Sequence, residues 1–331
     1  MTCMSVAAGS RDSFDELIAP YRSELRAHCY RMLGSVHDAD DAVQDALLRA
    51  WRALPKFEGR SSLRSWLYQI ATNSCLRLIE RRPRRVLPID YGPPADAHDE
   101  PAAPLVESVW LEPYPDDAVA EGYAAPEARY EQHESVELAF VAALQHLPAR
   151  QRAVLILRDV LGFSGAEVAT TLDTSPEAVY SSLQRAHKTV DQQLPEQSQQ
   201  ATLRSLGDTR VKEMVASYVD AWERGDIDAV VAMLTEDATI AMPPVPSWYV
   251  GIAQARMFLA RIPFAPGYER RVLLGHANGQ LALGTYNIAT AGEGHDALQL
   301  LTLTPDGRIA AITAFVGADL QAFRLPAVAP R

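Results

Sequence analysis

Nine prolines fall between residues 83 and 126, at positions 83, 88, 93, 94, 101, 104, 113, 115 and 126. A helix interior rejects proline, because the ring removes a backbone donor and clashes with the preceding turn. No helix can therefore cross this stretch, and the periodic segments on either side must fold as separate bodies joined by a tether. The stretch is also acidic: residues 86–135 hold 1 Lys/Arg against 12 Asp/Glu. This composition reads as a linker over residues 86–134 rather than as a core, with Trp110, Leu111 and Tyr114 as the residues expected to dock on something.

The charge map matters because the whole chain, at 331 residues, carries a formal net charge of -11, the wrong sign for a nucleic-acid binder. Residues 1–85 hold 14 Lys/Arg against 10 Asp/Glu, residues 136–195 hold 5 against 6, and residues 196–331 hold 11 against 14. The linker thus accounts for the excess, and the first block is basic. Between residues 60 and 85, seven arginines (Arg60, Arg64, Arg77, Arg81, Arg82, Arg84 and Arg85) stand against the single acid Glu80, a stripe suited to tracking phosphates. The length allows two or three domains. With no apolar run of membrane-spanning length and no signal-peptide pattern near the N-terminus, a cytoplasmic protein without membrane contact is expected. The three cysteines, Cys3, Cys29 and Cys75, are scattered and predict small core residues; no disulfide framework, metal or cofactor is expected.

Ahead of the linker the apolar residues Ala39, Val43, Ala46, Leu47, Ala50, Trp51 and Leu54 recur at three- and four-residue steps, predicting a helix over 37–54. Asp38, Asp40, Asp41 and Asp45 crowd its first half, where negative charge suits the helix dipole. A second helix is predicted over 62–82, ended by Pro83. Helical periodicity resumes over 135–194. Within it Ser164 and Glu167 have capping-box spacing, a turn falls at Asp173, and Thr174 with Glu177 predicts a second capping box. The second of these helices buries Val179, Leu183 and Ala186. It leaves Glu177, Tyr180, Ser181, Gln184, Arg185 and Lys188 as one polar face able to meet a major groove. Arg150 and Arg152, just upstream, are candidate phosphate contacts. A Gln-rich stretch at 192–200 separates a third region: two amphipathic helices over 211–224 and 227–234, then β-like runs at 238–242, 270–276, 280–289, 297–304 and 308–315. Asn278-Gly279 and Asp306-Gly307 mark tight hairpins, so this region reads as α+β.

Taken in order, "YRMLGSVHDADDAVQDALLRAW" (Tyr30–Trp51), "FEGRSSLRSWLYQIATN" (Phe57–Asn73) and "LPARQRAVLILRDVLGFSGAEVA" (Leu147–Ala169) followed by "SSLQRAHKTV" resemble the extracytoplasmic-function group of the sigma-70 family. The resemblance implies two all-α sigma domains: a helical bundle, region 2, over residues 12–85, and a helix-turn-helix, region 4, over 135–194. It implies core RNA polymerase (β′ clamp helices and β flap) and promoter DNA as partners. Asp41, Gln44, Asp45, Leu48 and Arg49 would grip the polymerase clamp. Arg60, Ser61, Ser62, Arg64, Tyr68, Asn73, Arg77 and Arg81 would hold the opened -10 DNA, and Arg150, Arg152 and the polar helix face would meet the -35 element. The acidic linker would thread a polymerase channel built for nucleic acid.

Residues 205–325 resemble the SnoaL-like polyketide cyclase superfamily, with its cone-shaped α+β (cystatin-like) fold, through "YVDAWERGDIDAVVAMLTEDATIAMPP" (Tyr218–Pro244) and "SWYVGIAQARMFL" (Ser247–Leu259). "WLEPYPDD" (Trp110–Asp117) fits the sigma groups that carry such a domain. The resemblance implies a pocket, for which Trp222, Asp237, Met242, Trp248, Tyr249, Phe258 and Phe315 are the expected lining. It also implies a regulatory domain acting through a small-molecule ligand or an intramolecular contact rather than an enzyme. Two other readings stay open: a ligand-sensing helix-turn-helix regulator, and a cyclase or isomerase using Asp237 or His276. A simple regulator has no need of the melting block at Phe57–Asn73.

Overall fold

The computed structural model describes residues 11–59, 61–105, 109–116, 134–289 and 297–329. Helices form where the periodicity places them. α1 (Arg11–Ile18), α2 (Arg22–Leu33), α3 (Val36–Ala53) and α4 (Leu63–Ile79) supply the N-terminal helices. Gly34 ends α2 at φ +69, a conformation that costs glycine nothing. Ser35 then caps α3 by accepting from the Asp38 backbone N–H at 3.1 Å. Ser62 caps α4 by accepting from the Ser65 N–H at 3.0 Å. α4 stops at Ile79, short of the predicted end at 82, because Pro83 already restricts the residues ahead of it.

The interior of these helices is mostly apolar, but it encloses several polar groups, among them His28, Arg31, Asp38 and Thr72, and His28 is fully buried. Its Nε2 meets Thr72 Oγ1 at 2.9 Å, and its ring packs edge-on to Tyr68 at 5.2 Å. Burial first, then the charges of Arg31 and Arg64, hold its pKa down to about 3. Cys29 and Cys75 are buried free thiols; Cys3 lies outside the described residues.

After the short α5 (Pro88–Tyr91) come α6 (Leu138–Gln145), α7 (Ala149–Leu155, continuing as a π turn through Val160), α8 (Gly165–Thr171) and α9 (Pro176–Val190). Ser164 and Glu167 form the predicted capping box: Ser164 Oγ accepts from Glu167 N at 3.3 Å, and Glu167 Oε2 accepts from Ser164 N at 2.8 Å. The cap of α9 differs from expectation. Asp173 takes φ +49, the chain turns one residue later, and Ser175 rather than Thr174 accepts from the Ala178 N–H, at 3.2 Å.

The third region holds α10 (Gln199–Leu206), α11 (Asp208–Arg224), α12 (Ile227–Ala232) and α13 (Ile252–Arg261). Its strands are β1 (Leu234–Ala241), β2 (Trp248–Val250), β3 (Arg270–Ala277), β4 (Gln280–Asn287), β5 (Ala297–Leu303) and β6 (Ile309–Val316). The sheet order is β2-β1-β6-β5-β4-β3. β1 and β6 are parallel, and every other pairing is antiparallel. One apolar cluster joins Tyr218 and Trp222 of α11 and Phe258 of α13 to the sheet through Leu283, Leu301 and Ile312. A second cluster joins Ala282, Leu298 and Phe315 to the C-terminal segment at Leu320, Phe323 and Leu325. Leu325 lies where a Cβ on Gly284 would meet it at 2.7 Å, so the glycine makes the seat. α10, β2 and α13 are additions to the sequence-based expectation. α10 begins within the Gln-rich stretch read as a separator.

The chain divides into two compact units. The first contains the residues up to Arg84, Ser135 and Ala143–Leu194; the second contains Arg85–Asp116, Val136–Ala142 and Pro195 onward.

His28 makes acid stability testable. Its folded pKa lies below its unfolded value of about 6.5, so the unfolded chain binds the proton first, and stability falls as pH drops from about 6.5 toward 3. His28→Gln is expected to lose about 2 kcal/mol less than the natural chain between pH 7 and pH 5, measured by urea unfolding at both pH values.

Candidate nucleic-acid and polymerase interface

α3 presents its polar face outward, with Asp41, Gln44, Leu48 and Arg49 outside the buried side of the helix. Leu48 is 48% exposed. It borders a cleft of about 580 Å³ whose walls include Phe14, Ile18, Leu47 and Trp51. Asp45 is held by Arg49 at 2.7 Å, Ser74 at 2.8 Å and Arg77 at 3.5 Å. Arg49 chiefly keeps its carboxyl below the ordinary range. Arg82 pairs with Asp38 and reaches Asp41 at 4.0 Å. Part of the arginine stripe is thus neutralised by the acids of α3.

The residues assigned to -10 DNA stand in different states. Arg60 lies outside the described residues. Ser61, Ser62 and Arg81 are exposed, and Asn73 is half-buried. Arg64 and Tyr68 are engaged. The Arg64 guanidinium lies 5.0 Å from the Tyr68 ring centroid and 4.8 Å from that of Phe163. It also contacts the Leu161 carbonyl and Glu24, each at 3.4 Å. Tyr68 is 1% exposed and donates its hydroxyl to Glu24 at 3.2 Å; burial pushes its pKa up. Beside them Ser65 donates to Glu167 at 3.2 Å and Gln69 to the Thr170 carbonyl at 3.4 Å. The start of α4 is therefore covered by α8 and the loop before it.

On α9, Glu177, Tyr180, Ser181, Gln184, Arg185 and Lys188 are all exposed, and Arg150 is exposed upstream. Arg152 corrects the sequence expectation. It is 4% exposed, and its guanidinium donates to the Met32 carbonyl, to Gln145 Oε1, and to the Gln145 and Leu147 carbonyls at 3.2 Å. Burial brings its pKa down to about 10. Arg152 ties α7 to the end of α2; it faces no groove.

Within the second unit the described part of the linker is docked. Its path over the sheet and α13 is fixed by polar bonds: Ala95 N to the Trp248 carbonyl at 2.8 Å, Trp248 Nε1 to the Gly92 carbonyl at 2.8 Å, and Ala97 N to Gln254 Oε1 at 2.7 Å. Arg261 pairs with Glu100 at 3.1 Å. Trp110, Leu111 and Tyr114, the expected docking residues, are 7%, 1% and 0% exposed.

The β3–β4 turn bonds the chain at Tyr114 and again at Val136. Asn278 sits at φ +55, fully buried. Its N–H donates to the Tyr114 carbonyl and its Oδ1 accepts from Tyr114 N, each at 2.8 Å, while its Nδ2 donates to the Val136 carbonyl at 2.7 Å. Gly279 N donates to Asp116 at 2.7 Å, and Gln280 Oε1 accepts from Leu138 N at 3.3 Å. Glu137 accepts from the backbone N–H groups of Gln199 and Gln200 at 2.9 and 2.8 Å, capping α10 from outside. The sequence marked Asn278-Gly279 as a tight turn, but no local signal announces that a turn will bond two distant segments.

The expected pocket residues do not share one cavity. Trp222, Met242, Tyr249 and Phe258 belong to the cluster beneath α11 and α13. Trp248 is buried with its indole committed to Gly92, Phe315 belongs to the cluster with Leu320 and Phe323, and Asp237 is exposed. His276 stands on β3 with its pKa lowered by partial burial. Among the described residues no group of three or more His, Cys, Asp or Glu is placed to hold a metal ion, and no helix is long and apolar enough to cross a membrane.

Residues 17–85 match Sigma-70 region 2, residues 137–190 match Sigma-70 region 4, and residues 215–312 match the SnoaL-like domain. The ECF RNA polymerase sigma factor SigG of Mycobacterium tuberculosis is 45% identical over 325 residues, 96% of this chain and 85% of that protein. The chain belongs to the extracytoplasmic-function sigma factors. A second relative, SigW of Bacillus subtilis, is 27% identical over 57% of this chain and 92% of its own length. The crystal structure of the M. tuberculosis extracytoplasmic-function sigma factor SigJ shares the fold at TM-score 0.59 and 22% identity, covering 94% of this chain and 99% of that one.

For a sigma factor, the exposed Leu48 beside an apolar cleft is the natural place to test polymerase binding. Leu48→Glu is expected to weaken association with core polymerase by roughly tenfold or more. Because Leu48 is half-exposed, the melting temperature of the variant should stay near that of the natural chain. Unchanged affinity in a fluorescence-anisotropy titration with core enzyme would remove α3 from the interface.

Proposed function

We propose that this sigma factor directs core RNA polymerase to promoters, with α3 against the polymerase clamp, the start of α4 on the opened -10 strand and α9 in the -35 major groove. We infer further that its SnoaL-like domain regulates the factor by holding the linker. One observation carries the regulatory reading: Asn278 hydrogen-bonds both Tyr114 and Val136.

The physical basis is reach. Released, the fifty residues from 85 to 134 span up to roughly 165 Å, enough to cross a large enzyme. Docked, residues 85–116 are committed to the C-terminal unit. Their acids are partly committed as well, Glu100 to Arg261 and Asp116 to Gly279. A polymerase channel built for nucleic acid would compete for the same carboxylates. In the same state Arg64 and Tyr68 are covered while the face of α9 is open. The docked form is then ready for -35 recognition but not for melting. The relatives being sigma factors, and Asp237 being exposed rather than set in a cavity, regulation is favoured over turnover.

Asn278→Gly isolates the hold. Glycine accepts φ +55 without strain, so the variant keeps the turn and loses two side-chain bonds, leaving Tyr114 N and the Val136 carbonyl unpaired at about 1–3 kcal/mol each. Run-off transcription with core polymerase should rise several-fold over the natural chain at equal sigma concentration. Equal output would sink the regulatory reading. Absence of promoter-specific transcripts from both forms would sink the promoter assignment.

A further inference from the structure

The chain has three asparagines, Asn73, Asn278 and Asn287, and of these Asn278 alone precedes a glycine. Asparagine is a thermally labile side chain, and its lability is greatest ahead of glycine. The backbone nitrogen of the following residue attacks the side-chain carbonyl carbon, and glycine, having no Cβ, hinders that approach least. Asn73 precedes Ser74 within α4, and Asn287 precedes the branched Ile288, settings that restrict it.

In the docked state the groups this reaction needs are all held. Asn278 and Gly279 have φ of +55 and +64, the type I′ arrangement of a two-residue hairpin loop. Closing a five-membered ring through Cγ and the next nitrogen requires the backbone to twist well away from that turn. The amide Nδ2 donates to the Val136 carbonyl at 2.7 Å and Oδ1 accepts from Tyr114 N at 2.8 Å, so the side chain cannot swing toward Gly279. The Gly279 nitrogen donates to Asp116 at 2.7 Å, and its carbonyl accepts from Gln200. Both residues are buried, which keeps water and base away. Tyr114 and Asp116 belong to the linker, so their protection leaves when it does.

We propose that Asn278-Gly279 is a self-modifying site controlled by the linker: inert while Tyr114 and Asp116 are docked, and reactive once they leave. The proposal rests on the linker release described above. The Gly279 N–H gives its proton to a solvent base, its nitrogen bonds to Asn278 Cγ, the Cγ–Nδ2 bond breaks, and Nδ2 takes a proton from water and departs as ammonia. Water then opens the ring. Breaking the nitrogen–Cγ bond leaves an aspartate at 278, and breaking the bond to the main-chain carbonyl carbon leaves an isoaspartate. The sum is amide plus water giving carboxylate plus ammonium, with nothing oxidised or reduced. An aspartate still accepts from Tyr114 N, but its second oxygen faces the Val136 carbonyl, acceptor against acceptor, in a place closed to solvent. An isoaspartate adds a methylene to the main chain and spoils the hairpin register. Release of the linker thereby becomes one-way.

The test reads the acid itself. The full chain is held at mildly alkaline pH and digested, and mass spectrometry follows the amide-to-acid mass gain on the peptide containing Asn278, with the Asn73 and Asn287 peptides as internal controls. The same chain in urea gives the unprotected rate. Conversion at Asn278 in the folded natural chain is expected to be at least about tenfold slower than in urea, because opening must break both side-chain bonds. Leu111→Ala combined with Tyr114→Ala, which removes two docking side chains outside both apolar clusters of the sheet, should convert several-fold faster than the natural chain. Equal rates for the folded and unfolded natural chain would overturn the proposal, whether or not the double variant folds. A folded double variant converting no faster than the natural chain would overturn it too. For the product, Asn278→Asp should raise hydrogen exchange at the amides of Leu111, Tyr114 and Asp116; unchanged exchange would overturn the one-way step. None of these measurements uses polymerase, so their outcome is separate from the run-off result for Asn278→Gly.

Discussion

Among the bonds by which the C-terminal unit holds the linker, one buried amide joins two segments at once. The side chain of Asn278 is suited to bonding two segments at once, since a carboxamide offers an acceptor and a donor on one planar group. Asparagine also tolerates the left-handed backbone of a tight turn. Its acceptor takes Tyr114 N and its donor reaches the Val136 carbonyl. Tyr114 and Val136 lie outside the strands of the sheet, and both are fully buried. An unpaired backbone group in such a place is costly, so the turn, the linker near Tyr114 and the residues leading into α6 are energetically coupled through this side chain.

In the helical unit, a second buried polar group, the Arg152 guanidinium, serves as fastener. It is surrounded by carbonyl oxygens from α2 and from the turn between α6 and α7. Partial dipoles rather than a counter-ion compensate the charge, which leaves the arrangement dependent on geometry. The two surfaces proposed to meet the promoter differ in their exposure. Arg64 and Tyr68 are engaged on one side, and the polar face of α9 remains in solvent on the other.

Much of this was legible in the sequence because periodicity and capping are local. The helices at α3, α4, α8 and α9, the hairpin turns, and every strand except β2 follow from spacing that a reader can count. What escaped was set by tertiary contact. Arg150 and Arg152 look alike in sequence, but one is exposed and the other buried, because α7 turns only one of them toward Met32. The ring-bearing residues of the third region looked like a pocket, yet they divide between two apolar clusters, and period-two alternation alone does not say which side of a sheet is open. The linker's composition predicted a tether, and its three large apolar residues predicted contact. It did not predict that their docking surface would come from strands far along the same chain.

The linker's docking also bears on how weak the covering of α4 can be. Two bodies joined by a long free chain meet at an effective concentration that falls roughly as the −3/2 power of its length. Residues 85–116 and 136–142, which lie in sequence between the two halves of the first unit, belong to the second. Contacts such as Ser65–Glu167 and Gln69–Thr170, at 3.2 and 3.4 Å and exposed to solvent, then need little intrinsic affinity to persist. On the proposed function, releasing the linker would alter none of those contacts and yet dilute their partners. On that reading the covering of the start of α4 would in this sense be entropic, and release of the linker would loosen it without touching a residue there.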